Sequence, residues 1–517
     1  MLFNSYPFIF LFLPVVLIGF FYIGNRGHHR IAASWLIAAS LFFYGWWNPA
    51  YLGLILGSIL FNYSIGLAIT SNEMKEHSRK LLILGLTGDL LLLGYYKYTN
   101  FLLATSNSIL DTNFNLEVII LPLGISFFTF QKIAYLVDAY KGKTREYSFL
   151  SYCLFVVFFP QLIAGPIVHH REIIVQFSRD HIYKFNYKNF VIGVTIFSIG
   201  LFKKVILADG TVDYVSSIFS RADAGFPLTF ISAWAGAFSY SFQLYFDFSG
   251  YSDMAVGIAH MFGIRLPMNF NSPYKSTSII EFWRRWHMTL SRFLRDYIYI
   301  PLGGSRNGSI RHLLNLLLTM FVGGLWHGAG WTFVLWGSIH GLYLVINTVW
   351  RRLVGVSDYH GFFVRFFSWC LTFCAVMMAW VPFRAKDFDS TLIIWKGMVG
   401  VSGFTLPEGF NDKLGYIGEW LVRHNVRFVG IFDGIAPLKV IDILWFVLLI
   451  ICTFLMPNTH QFMRRYRPVL DSKIVLRDMN SGMSWRPTFG WAICISFLLV
   501  YAILGLVRPS EFLYFQF

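Results

Sequence analysis

One histidine, His327, stands in an apolar stretch with glycines on both sides, Phe-Val-Gly-Gly-Leu-Trp-His-Gly-Ala-Gly (residues 321–330). An imidazole titrates near neutral pH and can accept a proton from a hydroxyl group. Burial disfavours its charged form, which keeps the ring neutral and suits a general base. The glycines let a substrate or a second chain approach the backbone, or merely let helices pack closely. The segment predicts a general base at His327; the alternative is a packing histidine.

A second block, Glu-Phe-Trp-Arg-Arg-Trp-His (residues 281–287), ends in His287. Helical spacing predicts one face formed by Trp283, Trp286, His287 and Leu290. Arginines at the cytoplasmic end of a cavity would suit a phosphorylated cofactor. Alternatively, the block is an interfacial anchor of tryptophans and arginines. One-turn spacing also predicts two ion pairs, Glu281 with Arg285 and Arg292 with Asp296.

Further ionisable residues surround these blocks. Asp247 and Asp253 lie among aromatic residues in the stretch 240–253. They would either face the site or serve as structural partners of nearby arginines. His340 and the adjacent pair at 169 and 170 are interpreted as structural.

A metal site is not expected. His287, His327 and His340 could gather an ion, but no carboxylate or thiolate stands at ligand spacing. The chain also has no Gly-rich phosphate loop, no His-Glu-x-x-His zinc motif and no Gly-x-Ser-x-Gly nucleophile elbow. The five cysteines all stand in apolar stretches and are predicted to be buried packing residues.

The elements that carry these residues must span a membrane. Hydrophobic residues make up 56% of the 517 positions and charged residues 13%, against about 25% charged in soluble domains. A span needs about 20 apolar residues. Runs that supply a span, or most of one, are residues 3–23, 81–96, 366–381, 443–456 and 489–506. The net charge of +15 is explained by basic loops between spans, so nucleic acid is not an expected partner.

Loop charges predict the orientation. Three alternate loops among the first five spans carry eight Lys and Arg residues, whereas the intervening loops, 48–50 and 99–116, carry none. The positive-inside rule places the basic loops in the cytoplasm and the N-terminus outside. The basic stretch 464–486 is also predicted to be cytoplasmic, so the last span delivers the C-terminus to the outside.

The middle of the chain does not fit simple alternating spans. Residues 240–330 mix apolar runs with charged groups that are costly in lipid. Broken or re-entrant helices that line a cavity are the permitted alternative. Residues 405–432, the longest semi-polar connection, are predicted to form a short external lobe.

At these blocks the sequence resembles the membrane-bound O-acyltransferase family, and within it the bacterial alginate O-acetylases. The likeness is carried by Gln-Leu-Tyr-Phe-Asp-Phe-Ser-Gly-Tyr-Ser-Asp-Met (243–254), by the block at 281–287, by Asp-Tyr-Ile-Tyr-Ile (296–300) and by Gly-Gly-Leu-Trp-His-Gly (323–328). Stretches 121–127, 159–166 and 381–384 extend it over most of residues 1–385. Together these motifs are highly specific, although no single one would be.

The resemblance implies an all-α polytopic protein whose helices surround a central transmembrane tunnel. It implies that His327 is catalytic and that His287 assists. It also implies acetyl-CoA as cytoplasmic acyl donor and O-acetylation of an extracytoplasmic polysaccharide. Because the chain has no soluble hydrolase-like domain, a separate extracytoplasmic SGNH-type acetyltransferase is expected as partner. The substrate or tunnel residues are expected to be Asp247, Trp283, Arg284, Arg285, Trp286 and Trp326.

The C-terminal residues Phe-Leu-Tyr-Phe-Gln-Phe (512–517) form an FxYxxF motif. An aromatic belt at the membrane interface is one interpretation. Acyltransferase systems of the resembled family have a similar C-terminal motif whose tyrosine is thought to carry the acyl group. That resemblance makes Tyr514 a relay, in which His327 takes the phenol proton as the tyrosine attacks the donor thioester.

Four segments are predicted: a catalytic core (1–385), a mainly extracytoplasmic connection (386–437), C-terminal transmembrane helices with a basic cytoplasmic loop (438–507) and an extracytoplasmic tail (508–517). The predicted location is the bacterial inner membrane, with lipid around the helices. Two other functions remain open. One is transfer of D-alanine or another acyl group to a cell-wall polymer. The other is a polysaccharide transporter, which predicts inverted repeats that the sequence does not display.

Overall fold

Helices make up most of the structure. The computed structural model describes residues 1–144, 148–355, 361–406, 410–424, 426–428, 440–471, 483–507 and 513. The N-terminal helices are α1 (Phe8–Asn25), α2 (His29–Gly45), α3 (Tyr51–Thr70), α4 (Lys75–Leu110), α5 (Ile125–Tyr140), α6 (Phe149–Val157), α7 (Phe159–Leu162) and α8 (His170–Phe177). The central helices are α9 (Tyr187–Asp223), α10 (Phe230–Met261), α11 (Ile279–Arg285), α12 (Met288–Leu294), α13 (Ser309–His327) and α14 (Trp331–Val354). The C-terminal helices are α15 (Phe362–Arg384), α16 (Phe388–Met398), α17 (Phe410–Leu414), α18 (Tyr416–Arg423), α19 (Ile441–Leu455), α20 (Thr459–Phe462) and α21 (Phe489–Gly505).

Seven helices among the described residues are long and apolar enough to cross a membrane. They are α1, α3, α4, α9, α13, α14 and α15. Helices α19 and α21 are apolar but shorter. The predicted all-α polytopic fold is therefore confirmed. A minor exception is a pair of two-residue strands, β1 (Phe404–Thr405) and β2 (Val426–Arg427), which pair in parallel beside α17 and α18, in the region predicted to form a lobe.

The prediction of broken helices holds for only part of residues 240–330. Short helices and turns fill the region between α10 and α13. Helix α10, however, continues unbroken through residue 261, so the prediction is wrong for residues 240–261. The reason is that the carboxylates of α10 are paired with two lysines of α9. Asp247 Oδ1 lies 2.5 Å from Lys204 Nζ, and Asp253 Oδ2 lies 2.7 Å from Lys203 Nζ.

Glycines bring α9 and α10 together. A Cβ atom on Gly200 would lie 2.7 Å from the carbonyl oxygen of Gly250, and one on Gly193 would lie 2.6 Å from that of Gly257. Small residues at helix contacts let backbones approach closely, as in other membrane bundles. The tight contact places Lys203 and Lys204 of α9 within ion-pair distance of the carboxylates of α10.

Candidate active site

Helices α13 and α14 form an antiparallel hairpin that holds His327 at its tip, as the last residue of α13. The hairpin is tight because Gly324 faces Gly337: a Cβ atom on Gly324 would lie 2.4 Å from the carbonyl oxygen of Phe333. Gly328, directly after the histidine, accommodates the ring of Phe333 in the same way. Of the two roles that the sequence allowed for the glycines beside His327, the structure shows close packing. This packing places the histidine side chain in the interior.

The imidazole of His327 is buried, with 7% of the residue exposed. Edge-to-face contacts with Trp336 (centroids 5.0 Å apart) and Phe383 (5.2 Å) surround it. Its Nε2 atom is buried and has no hydrogen-bond partner among the described residues. Because buried polar atoms are normally paired, this nitrogen is placed to accept a proton from a group that enters the site.

His287 lies at a break between two short helices. Its φ of +42° and ψ of +53° place it in the left-handed region, between α11 and α12. The prediction that Trp283, Trp286, His287 and Leu290 share one helical face is therefore wrong. Backbone bonds from outside the segment enforce the break: the N–H of Met288 donates to the carbonyl of Asn269 at 2.9 Å. Such strained backbone clusters at functional sites.

Asn269 fixes the ring orientation of His287. The Nδ1–H of His287 donates to Asn269 Oδ1 at 3.0 Å. Thr289 Oγ1 donates to the same oxygen at 2.9 Å, and the amide of Asn269 donates to Ser252 at 3.2 Å. A proton held on Nδ1 makes Nε2 the acceptor of the ring. The imidazoles of His287 and His327 lie with their centroids 6.2 Å apart.

His340 lies near this pair, behind Trp336. Its Nδ1 accepts a hydrogen bond from Trp283 Nε1 at 3.3 Å. The ring of Trp336 contacts both imidazoles, with its centroid 5.0 Å from that of His327 and 4.9 Å from that of His340. Among the described residues, no group of three or more His, Cys, Asp or Glu side chains is arranged to hold a metal ion.

A cavity of about 300 Å³ is lined by His327 at the C-terminal end of α13. Apolar residues line most of it, including Trp47, Leu121, Leu123, Phe127 and Ile163. Trp326, a predicted tunnel residue, and His327 form its wall beside Lys97. The loop charges predict that this end faces outside, so we call this space the outer cavity.

A second cavity of about 580 Å³ lies toward the other end of α13. We call it the basic cavity because Arg284, Arg295, Arg351 and Arg352 line it. Trp283 contributes to its wall, as does Met320 of α13. Met320 and Trp326 are separated by about 9 Å of helix, so the two cavities lie at different levels of α13, and His327 lines the outer one.

Of the two ion pairs predicted from one-turn spacing, the structure contains one. Arg285 pairs with Glu281 at 3.0 Å, which confirms that prediction. The predicted pair Arg292–Asp296 is wrong: Arg292 makes a bidentate contact with Glu172, and Asp296 pairs with Arg295.

The predicted substrate residues do not all lie at one cavity. Trp283 and Arg284 line the basic cavity and Trp326 lines the outer one. Trp286 packs on Trp380 at 4.9 Å. Asp247 lines neither cavity and is bound to Lys204. Asp247 and Asp253 each pair with a lysine, where the sequence suggested arginines, and Asp253 also accepts a hydrogen bond from Thr459. Tyr514 lies outside the described residues.

Lys97 is the site residue that sequence reasoning missed. Its Nζ donates to the backbone carbonyls of Trp326 and His327. The available signal was a lysine inside an apolar run, since an ionisable residue at membrane depth is a functional candidate by default. In the sequence, Lys97 stands just before the loop 99–116, which has no Lys or Arg.

The sequence model of the membrane-bound O-acyltransferase family matches residues 52–383. A peptidoglycan O-acetyltransferase of Helicobacter pylori is 41% identical, covering 100% of this chain and 98% of that protein. A probable alginate O-acetylase of Azotobacter vinelandii is 42% identical over 79% of this chain and 80% of its own. A teichoic acid D-alanyltransferase of Streptococcus thermophilus is 28% identical over 44% of this chain and 57% of its own.

Proposed function

The chain belongs to the membrane-bound O-acyltransferase family, and we propose that it moves acetyl groups from cytoplasmic acetyl-CoA across the membrane for O-acetylation of an extracytoplasmic polysaccharide. One observation carries the proposal: His327 lines the outer cavity, and a separate arginine-lined cavity lies toward the other end of α13, with Trp283 between that cavity and His340. A donor and an acceptor would therefore have separate entrances.

The basic cavity suits the donor. Its four arginines carry positive charge, which attracts phosphate groups, and a guanidinium can bind a phosphate with paired hydrogen bonds. Coenzyme A carries such phosphates at the end remote from its thioester. In the predicted orientation this cavity opens to the cytoplasm, where acetyl-CoA is found.

His327 is the proposed general base. Its Nε2 takes the proton of the attacking hydroxyl while the oxygen bonds to the thioester carbonyl carbon. The C–S bond then breaks, and the imidazolium returns the proton to the departing thiolate, which gives free coenzyme A. His287, held by Asn269, is proposed to assist as the second polar group facing this reaction.

Tyr514 is the proposed first acceptor. Its phenol oxygen would receive the acetyl group as an aryl ester, which is activated toward a second transfer. A serine of an extracytoplasmic SGNH-type acetyltransferase would then attack the ester carbonyl and release the phenol. Support comes from Leu513, the neighbouring residue, which is 1% exposed and belongs to the buried cluster that contains Trp286 and Trp336.

The acceptor polymer is proposed to be peptidoglycan or an alginate-like exopolysaccharide, since relatives of near-equal identity are named for each. D-Alanine transfer is the second candidate, because a more distant relative carries that name. The ester-linked group itself distinguishes them: mild alkali releases acetate in one case and D-alanine in the other.

The decisive variant is His327→Ala, expressed with an N-terminal tag in a strain that lacks the chromosomal gene. We expect normal membrane levels and alkali-released acetate at the level of the deletion strain. The matched control is His77→Ala, at an exposed histidine on the turn Lys75–His77, which should behave as wild type. Retained acetylation in His327→Ala would overturn the assignment of the base.

The donor is tested separately. Inverted membrane vesicles that contain the wild-type protein should release free coenzyme A from acetyl-CoA and incorporate labelled acetyl. If label is incorporated only from a D-alanyl carrier, the second candidate is correct.

A further inference from the structure

The last turn of α13 has its carbonyl groups satisfied in an unusual way. A helix ends with four carbonyls that lack partners inside the helix. In α13 the first of these four carbonyls, that of Gly324, accepts from the N–H of Gly328 at 3.3 Å. The hydroxyl of Tyr98 donates to the carbonyl of Leu325 at 2.8 Å. Lys97 Nζ donates to the remaining two carbonyls, those of Trp326 and His327. Side chains of a different helix therefore complete the cap.

Both capping side chains come from one π-helical turn, Gly94–Tyr98, inside α4. Single π turns within α-helices occur frequently at functional sites. This one delivers two consecutive residues, Lys97 and Tyr98, to the end of the helix that carries the proposed base. The contact joins a span near the N-terminus to a residue about 230 positions later.

The ammonium group of Lys97 is fully engaged. Its third bond goes to Ser126 Oγ at 3.3 Å, and an ammonium has three donors. No carboxylate lies within 4 Å of Nζ among the described residues. The negative end of the α13 dipole and its carbonyls therefore compensate the charge, which would otherwise be costly at membrane depth.

We propose that Lys97 is a positioning residue for acyl transfer: it holds the last turn of α13 and so fixes the direction in which His327 presents Nε2. The inference rests on the proposed function, in which His327 is the base. Lys97 lines the outer cavity but has no donor left for a substrate, so it acts through His327 rather than on the reacting atoms.

Loss of the lysine should impair the chemical step and spare donor binding. Without Nζ the carbonyls of Trp326 and His327 lose their partners, and the last turn can shift. A misplacement of about 1 Å at a reacting group costs about 10²-fold in rate. The basic cavity, at the other end of α13, keeps its arginines, so KM for the donor should change by less than about twofold.

The test uses Lys97→Met, Lys97→Arg and Lys132→Met in the full-length protein. Methionine keeps the length of the side chain and removes the charge and all three donors. Lys132→Met is the matched control, because Lys132 is also fully buried, bonds Ser58, and lines neither cavity. Membrane level and thermal unfolding midpoint are measured with kcat and KM for acetyl-CoA in vesicles, and with alkali-released acetate in cells.

We expect Lys97→Met to lower kcat about 10²-fold with KM unchanged, Lys97→Arg to recover at least a tenth of the wild-type kcat, and Lys132→Met to keep kcat within about threefold per folded molecule. A wild-type kcat in Lys97→Met, or an equal loss of kcat per folded molecule in Lys132→Met, would overturn the proposal. If Lys97→Met does not accumulate, Lys97→Gln, which retains amide donors without the charge, is judged by the same criteria. If wild-type vesicles do not use acetyl-CoA, the donor assignment fails, and the cellular acetate content still decides the role of Lys97.

Discussion

The imidazole rings of His287 and His327 lie with their centroids 6.2 Å apart and their planes inclined at 60°. One ring sits at a strained helix break and the other at a helix end, and each is held by a side chain from elsewhere in the chain. Asn269 orients His287, and Lys97 caps the turn that carries His327. The positions of the two histidines are thus supported by Asn269 and Lys97.

Asn269→Ala should reduce kcat by about 10²-fold, within the range for general acid–base groups, because His287 loses the acceptor that selects its tautomer. Asn269→Asp should retain more activity, since a carboxylate oxygen still accepts from Nδ1. The measurement is kcat in vesicles, normalised to folded protein. Asn62→Ala is the control, at a buried asparagine that instead bonds Asp89. Equal losses in Asn269→Ala and Asn62→Ala would show a general packing effect.

The spans could be predicted from sequence, as could His287, His327 and Arg284 as candidate residues, because each stands in a local pattern. Arg295, Arg351 and Arg352, which also line the basic cavity, were not among the candidates. The break at His287 could not be predicted. The 3.6-residue spacing of residues 283–290 matches a continuous helix, but the backbones of Asn269 and Asn271 hydrogen-bond to Met288 and Arg285 across the break. Likewise, Arg292 has an acidic residue one turn away, yet its bidentate partner, Glu172, lies 120 positions earlier. Tertiary contacts override local spacing in both places.

Gly324→Ala should destabilise the hairpin that holds His327. The new methyl group would lie 2.4 Å from the carbonyl oxygen of Phe333 and about 3 Å from Gly337, and backbone atoms there cannot yield easily. Overpacking of this kind costs about 1–3 kcal/mol. The check is the thermal unfolding midpoint of purified protein. Gly53→Ala, where nothing lies within 4 Å of the added atom, should leave the midpoint unchanged or raise it. An unaffected Gly324→Ala would mean that the hairpin is looser than it appears.

Lys204→Met should be more damaging than Asp247→Asn. Lys204 Nζ lies 2.5 Å from Asp247 and 2.8 Å from Asp209, so one lysine serves two buried carboxylates. Its loss leaves both without that cation, and breaking a buried pair from one side costs about 3–5 kcal/mol. Asp247→Asn leaves Lys204 paired with Asp209. Unfolding midpoints of the two variants give the ranking, and a larger loss in Asp247→Asn would contradict it.

Tyr514→Phe separates a relay from an anchor. Phenylalanine keeps the ring and therefore any aromatic packing next to buried Leu513, but it removes the only atom that could carry an acetyl ester. We expect normal membrane levels with alkali-released acetate near the deletion level, and an acetylated C-terminal peptide by mass spectrometry in the wild type alone. Tyr501→Phe, on α21 beside Phe497, is the matched loss of a hydroxyl and should remain fully active. Full polymer acetylation in Tyr514→Phe would instead assign the ring to anchoring and leave the acceptor to attack the thioester directly.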